Sequence, residues 1–249
     1  MPPATLLRRA VAEGVGTAFL VTAVVGSGIM GERLSGGIVG LTLLANTLAT
    51  GAALAALILT FGPISGAHLN PVVTVADASQ GGLPWSEVPS YLLAQALGAI
   101  AGVGLANLMF EEPLLLLSRH PRAGPALLLS EFVAAFGLLA VIWGCARRHA
   151  SATPYAVAAY ISAAYWFTPS TSFANPAVTL ARALTDTFTG IRPADVPGFV
   201  LAQCAGAAAA TFLMRWLVPP VPSAAPELML PRPGTRRESY GPSGVRVPP

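Results

Sequence analysis

Six stretches of this chain are long and apolar enough to cross a lipid bilayer, and they leave little of it for anything else. They lie at residues 10–30, 36–61, 88–110, 124–146, 150–167 and 196–214. A helical crossing needs about 20 mostly apolar residues, and only the fifth stretch is a little short. Four of the six contain no charged residue, and the other two contain one each, Glu13 and Glu131. Helices are required, because hydrocarbon offers no partner to a backbone N–H or C=O. The first stretch follows Arg8 and Arg9 as a signal peptide would. It is long for one and contains a glutamate, so it reads as a first membrane helix.

Composition agrees and removes other classes. Of 249 residues, 54% are hydrophobic and 10% charged, against roughly 25% charged in a soluble domain. Such hydrophobicity excludes disorder over most of the length. Two cysteines cannot form a disulfide scaffold, and a net charge of +3 is too small to argue for nucleic acid. Residues 218–249 differ: they are rich in proline, poor in large apolar side chains, and read as a disordered tail. Six crossings put both termini on one face. That face gathers Arg8, Arg9, Arg147, Arg148 and Arg215, with the tail arginines Arg232, Arg236, Arg237 and Arg246. The other holds Arg33, Arg119, Arg122, Arg182 and Arg192. The positive-inside rule makes the first face cytoplasmic, in a multi-pass protein of the cell (inner or plasma) membrane.

The chain also repeats itself. Asn70-Pro71-Val72-Val73-Thr74-Val75-Ala76-Asp77-Ala78 matches Asn175-Pro176-Ala177-Val178-Thr179-Leu180-Ala181-Arg182-Ala183 at six of nine positions. Leu93-Ala94-Gln95 and Leu201-Ala202-Gln203 begin a second matching pair, and Glu13 and Glu131 each open the first span of a half. Three spans per half is an odd number, so the halves lie inverted in the membrane. Each Asn-Pro segment follows an uncharged span, enters from its own face, and is too short to cross. Irregular backbone is tolerated at membrane depth where it is buried in protein or lines a wet cavity, so both segments read as re-entrant half-helices. Asn suits the N-cap, where its side-chain oxygen accepts a backbone N–H. Pro suits the first helical position and keeps the preceding Asn out of helical geometry. The cap leaves each amide NH2 free to donate into a pore.

This arrangement resembles the aquaporin (major intrinsic protein) family, in particular its branch associated with bacterial arsenic resistance. The resemblance rests on Ser65-Gly66-Ala67-His68-Leu69-Asn70-Pro71-Val72, on Asn175-Pro176-Ala177-Val178-Thr179-Leu180-Ala181-Arg182-Ala183, and on the paired glutamates and glutamines. It implies an all-α membrane fold of six tilted helices plus two half-helices. The channel domain would span residues 1–217, with repeats at about 8–110 and 124–217, assembled as a homotetramer in the bilayer. It implies that Asn70 and Asn175 donate to the permeating solute, that both half-helices turn their positive ends toward the centre, and that Glu13 and Glu131 accept loop N–H groups as structural carboxylates. His68 would line the pore through its carbonyl more than its ring.

Two departures concern the constriction. The family's Arg after the second Asn-Pro-Ala is Val178 here, and the first box ends in Val72. Counting from the two Asn residues places the remaining constriction positions at Thr50, Ala163 and Ser172. That set is small and uncharged, which predicts a wider opening without the usual cation barrier. Arg182 lies four residues after Val178 on the same helix face. Two readings stay open: it folds back over Val178 and returns a guanidinium to the outer mouth, or it snorkels to water or pairs with Asp186. The expected function is a passive channel for small neutral solutes: water, glycerol-like polyols and arsenite or other metalloid hydroxides. The alternatives are a secondary transporter and a junctional protein with a poorly conducting pore. No catalytic constellation, cofactor fingerprint or metal-ligand spacing is present, Cys145 and Cys204 read as packing residues, and His120 and His149 read as solvated.

Overall fold

In a computed structural model, described here over residues 4–219, helices α1 (Leu6–Leu34), α2 (Val39–Ser65), half-helix α3 (Pro71–Ser79) and α4 (Val88–Met109) form the first repeat. The second comprises α5 (Pro125–Arg148), α6 (Thr153–Phe167), half-helix α7 (Pro176–Arg182) and α8 (Val196–Leu217). Five of these helices are long and apolar enough to cross a membrane. The sixth, α6, has 15 residues and a length of about 22 Å. It nevertheless crosses with α5. Its far end is tied to the start of α5, where Arg122 donates to the Ser170 carbonyl and Ser130 Oγ accepts from the Ser170 N–H. Its near end follows the end of α5 through a single 3-10 turn, Ala150–Ala152.

Polar ties between element ends fix the topology. Arg9 at the start of α1 bonds Glu87 before α4, and Arg33 at the end of α1 bonds the Phe110 carbonyl after α4. Helices α1 and α4 therefore run the same way. The α4–α5 connection is held beside the loop after α7, where Ser118 donates to the Ala183 carbonyl and Arg122 to Asp195. So α5 and α8 start on the face where α1 and α4 end. Arg147 then joins the end of α5 to the end of α8, through the Met214 carbonyl, and to Gln80 after α3. The second repeat is inverted, and the start of α1 and the end of α8 share one face. The expected tail at 218–249 lies almost wholly outside the described residues.

The repeats pack through small residues, because between lipid-soluble helices close contact replaces the hydrophobic drive. Within the first repeat α1 packs on α2 and α4, within the second α5 packs on α6 and α8, and α2 meets α6 across the pseudo-two-fold. At the α1–α4 crossing a methyl group on Gly98 would collide with the Gly14 carbonyl, and one on Gly102 with that of Ala18. Gly206 of α8 meets the Phe132 carbonyl of α5 in the same way. Gly40, by contrast, faces open space. Over-packing costs about 1–3 kcal/mol, so Gly98→Val and Gly206→Val should each lower the thermal midpoint of detergent-solubilised protein by several degrees. Gly40→Ala should not, as intrinsic fluorescence or light-scattering melts would read.

Candidate functional site

The two half-helices meet end to end near the centre of the bundle. Asn70 (φ −159°, ψ 122°) and Asn175 (φ −155°, ψ 113°) are extended N-caps. The Asn70 side-chain oxygen accepts from the Val72 N–H at 3.1 Å, and that of Asn175 from Ala177 at 3.0 Å and Val178 at 3.3 Å. Pro71 and Pro176 take the first helical positions. The amide groups are less free than the cap argument predicts. Asn70 Nδ2 donates to the Ala174 carbonyl and Asn175 Nδ2 to the Leu69 carbonyl, both at 2.8 Å. Each repeat thus ties its cap to the other's loop, which leaves one N–H per Asn for anything else. Val72 and Ala177 are buried behind the caps.

Both loops that lead into these caps are strained. Ala67 and Leu69 have φ of 46° and 48°, and Ser172 and Ala174 have 49° and 47°, at matching distances from their Asn. Left-handed non-glycine residues cost of order 1–3 kcal/mol each. The two buried glutamates hold them there. Glu13 accepts from His68 N (2.9 Å), Leu69 N (2.7 Å), Ser65 Oγ (2.6 Å) and Gln95 Nε2 (2.8 Å). Glu131 accepts from Phe173 N and Ala174 N, both at 2.9 Å, and from Gln203 Nε2 at 2.6 Å. Hydrogen bonds to a charged group contribute roughly 1.5–3 kcal/mol apiece, enough to offset the strain. Gln95 and Gln203 also donate to Thr74 and Thr179, whose hydroxyls bond the Asn70 and Asn175 carbonyls.

A narrow cavity runs past the caps. Its walls are aliphatic, including Leu20, Val24, Leu54 and Ile58 on one side and Leu138, Ile142, Val157 and Ile161 on the other. The polar exceptions are the two Asn residues, the strained loops, Thr50, Tyr165 and Arg182. Three of the four residues placed at the constriction by counting line this cavity: Thr50, Ser172 and Val178. Ala163 does not; it is exposed on the outer side of α6. Tyr165, two residues on, lines the cavity instead, 4% exposed, with its hydroxyl 3.4 Å from Thr50 Oγ1. Two residues turn a helix by about 200°, so a small error in counting through a loop reverses the face. Tyr165 makes this ring bulkier than the expected set of small residues.

Arg182 also lines the cavity. It is 2% exposed, so it does not snorkel to water. Nor does it pair with Asp186, which instead faces Arg119 and His120. Its Nε donates to the Thr189 carbonyl, and its guanidinium lies 3.3 Å from the centre of the Phe173 ring. Arg122 stacks on the same ring at 5.1 Å and donates to the carbonyls of Gly190, Ser170 and Phe188. Burial pushes Arg122 below its ordinary pKa, partly offset by the Glu131 carboxylate. At the opposite end His68 lies between Thr74 (Nδ1, 3.1 Å) and Asp77 (Nε2, 3.4 Å), both buried. Cys145 and Cys204 are free thiols, and no metal-binding group of His, Cys, Asp or Glu occurs among the described residues.

An inverted repeat whose capped half-helices meet beside a cavity through a helical bundle defines a multi-pass membrane channel. The chain matches the Major intrinsic protein family over residues 2–168. It is 56% identical over 215 residues to aquaglyceroporin AqpS of Rhizobium meliloti (strain 1021), covering 86% of this chain and 92% of that one. It is 44% identical over 117 residues to the probable aquaporin NIP7-1 of Arabidopsis thaliana, covering 44% and 42%. The X-ray structure of the aquaglyceroporin from Plasmodium falciparum superposes with a TM-score of 0.64 at 20% identity, over 86% of this chain and 98% of that one. The chain belongs to the major intrinsic protein family, whose aquaglyceroporins are channels and not enzymes. The glutamate brace yields a test. Glu131→Gln sets an NH2 group among N–H donors and leaves at least one unsatisfied, at about 1–3 kcal/mol each. Its thermal midpoint in detergent should fall by several degrees, while Cys204→Ser should leave it unchanged.

Proposed function

We propose that this protein is a passive channel for water and small neutral polyols, and that it extends to trivalent metalloid hydroxides such as arsenous acid. The observation that carries the reading is the ring of Thr50, Tyr165, Ser172 and Val178 around a cavity that also meets both Asn caps. Such a path offers one amide N–H from each Asn, with Thr50, Tyr165, Ser172 and Arg182 among otherwise aliphatic walls. A solute with several hydroxyls exchanges water for those donors, while its carbon or arsenic skeleton lies against Leu, Ile and Val. These polar groups are too few and too far apart to replace an ion's hydration shell along the whole path. The name and 56% identity of aquaglyceroporin AqpS support the polyol reading. Arsenous acid is uncharged at neutral pH and glycerol-sized, so it meets the same criteria.

Termini on the cytoplasmic side of the cell membrane follow from the arginine distribution, and assembly as a homotetramer follows from the family. The carboxylates beside the Asn caps, Glu13 and Glu131, are engaged by loop N–H groups and are not among the residues lining the cavity, so neither is placed to couple flux to protons. This favours a channel over a secondary transporter.

The test is stopped-flow swelling of proteoliposomes in water, glycerol, urea and arsenite gradients, comparing the natural protein with Val178→Arg. A guanidinium added at the ring should cut glycerol and arsenite flux about tenfold, a barrier increase near 1.4 kcal/mol, and affect water less. An unchanged ranking of solutes would remove Val178 from the constriction. Saturation at low solute or dependence on a proton gradient would replace the channel with a transporter.

A further inference from the structure

A buried guanidinium with no carboxylate in ion-pair contact is the least expected feature of the cavity wall. Neither Arg182 nor its neighbour Arg122 forms an ion pair with a carboxylate among the described residues. Arg122 is satisfied by three carbonyls. Arg182 is not: one bond, from Nε to the Thr189 carbonyl, accounts for all the hydrogen bonding of its side chain among the described residues. Its two terminal nitrogens are not among the occluded, unsatisfied atoms, so they retain contact with open space. The open space beside Arg182 is the cavity, since the residue is 2% exposed and lines it.

The route is short and over-determined. Side chains on a helix lean toward its N-terminus, so Arg182 at the end of α7 reaches back toward Val178, one turn nearer the centre. The Phe173 ring supports the flat of the guanidinium, and the Thr189 carbonyl fixes its Nε. The planar fork therefore points its NH2 groups into the lumen with few rotamers left to it. Arg122, on the same ring, adds a second positive charge behind it.

We propose that Arg182 is the charge-selecting residue of this channel. It supplies from one turn farther along α7 the guanidinium that position 178 lacks, and it donates to the hydroxyl oxygens of entering solutes while repelling cations. Size and charge are thereby divided between two places: Val178, Thr50 and Tyr165 set the width, and Arg182 sets the sign. The inference rests on the channel reading above, and two separate readouts keep them apart. Glycerol-driven swelling reports the channel. Sodium and proton leak, driven by a valinomycin-set potassium potential or a pH gradient in the same proteoliposomes of the full chain, reports Arg182.

The natural protein should leak no more than protein-free vesicles. Arg182→Gln should raise the cation leak, normalised to the glycerol flux of the same vesicles, about tenfold or more, as expected when a fixed positive barrier is removed. Arg182→Lys keeps the charge and should keep the leak low. Val178→Arg keeps Arg182 itself and so remains informative if Arg182→Gln does not fold. Added to a protein that already has its barrier, it should not change the leak. Two results would overturn the assignment: Arg182→Gln that conducts glycerol with no added leak, or a natural protein that leaks cations until Val178→Arg closes it. If the natural protein conducts no glycerol, the channel reading falls on its own.

Discussion

Everything at the centre of this molecule hangs on two carboxylates that form no ion pair among the described residues. Glu13 and Glu131 are each 0% exposed. A bare carboxylate at that depth is expensive. Each is instead solvated by N–H and O–H groups, four for Glu13 and three for Glu131. Two of those donors in each repeat are consecutive backbone N–H groups of the strained loop. The carboxylate thus substitutes for the water the loop would need, and its desolvation is offset by the backbone it organises. Without it, each loop would carry unsatisfied N–H groups as well as the strain of left-handed alanine and leucine or serine residues.

From that anchor the rest follows in sequence. A loop held in left-handed turns delivers its Asn at an extended φ, which lets the side chain cap the half-helix behind it. The carbonyl just before each Asn is then placed for the amide of the other Asn, at 2.8 Å in both directions. The exchange is reciprocal, so the two halves cannot shift independently. The Gln–Thr pairs, Gln95 with Thr74 and Gln203 with Thr179, close the loop from glutamate to half-helix and back. Small residues at the α1–α4 and α5–α8 crossings bring the glutamate-bearing and glutamine-bearing helices close enough for those bonds.

How much of this the sequence discloses depends on the kind of information each feature uses. Spans are legible because lipid enforces a uniform rule over some 20 residues, and all six stretches became helices, although α1 and α2 each run several residues past the apolar core. The glutamates are legible because a charge in such a stretch has few excuses. The paired Ser65 and Ser170, five before each Asn, and Thr74 and Thr179, four after, were available in the repeat but carry no meaning until the loop geometry gives them partners. Ala163 and Tyr165 mark the limit. Their assignment needs a rotation about α6, and a count made through the loop from 168 to 175 does not conserve rotation. The Asn amides mark another: sequence pairs each Asn with its own half-helix, but the bond across the pseudo-two-fold belongs to neither half alone.

Arg182 combines both lessons. Its spacing from Val178 puts it on the right face, yet the same spacing puts Asp186 one turn farther on, and composition does not choose between them. The choice is made by the loop after α7. That loop turns the Thr189 carbonyl toward the guanidinium and sends Asp186 to Arg119 and His120 near the surface. An arginine directly after the Asn-Pro-Ala box would combine bulk and charge at one position. With Val178 there, the bulk is gone while a guanidinium still reaches the cavity from the next turn, and Tyr165 narrows the ring from the opposite wall. A channel arranged this way can change its width by substitution at 50, 165 or 178 without changing the sign of its entrance. On the assignment proposed here for Arg182, removing its guanidinium alters the sign and leaves the width.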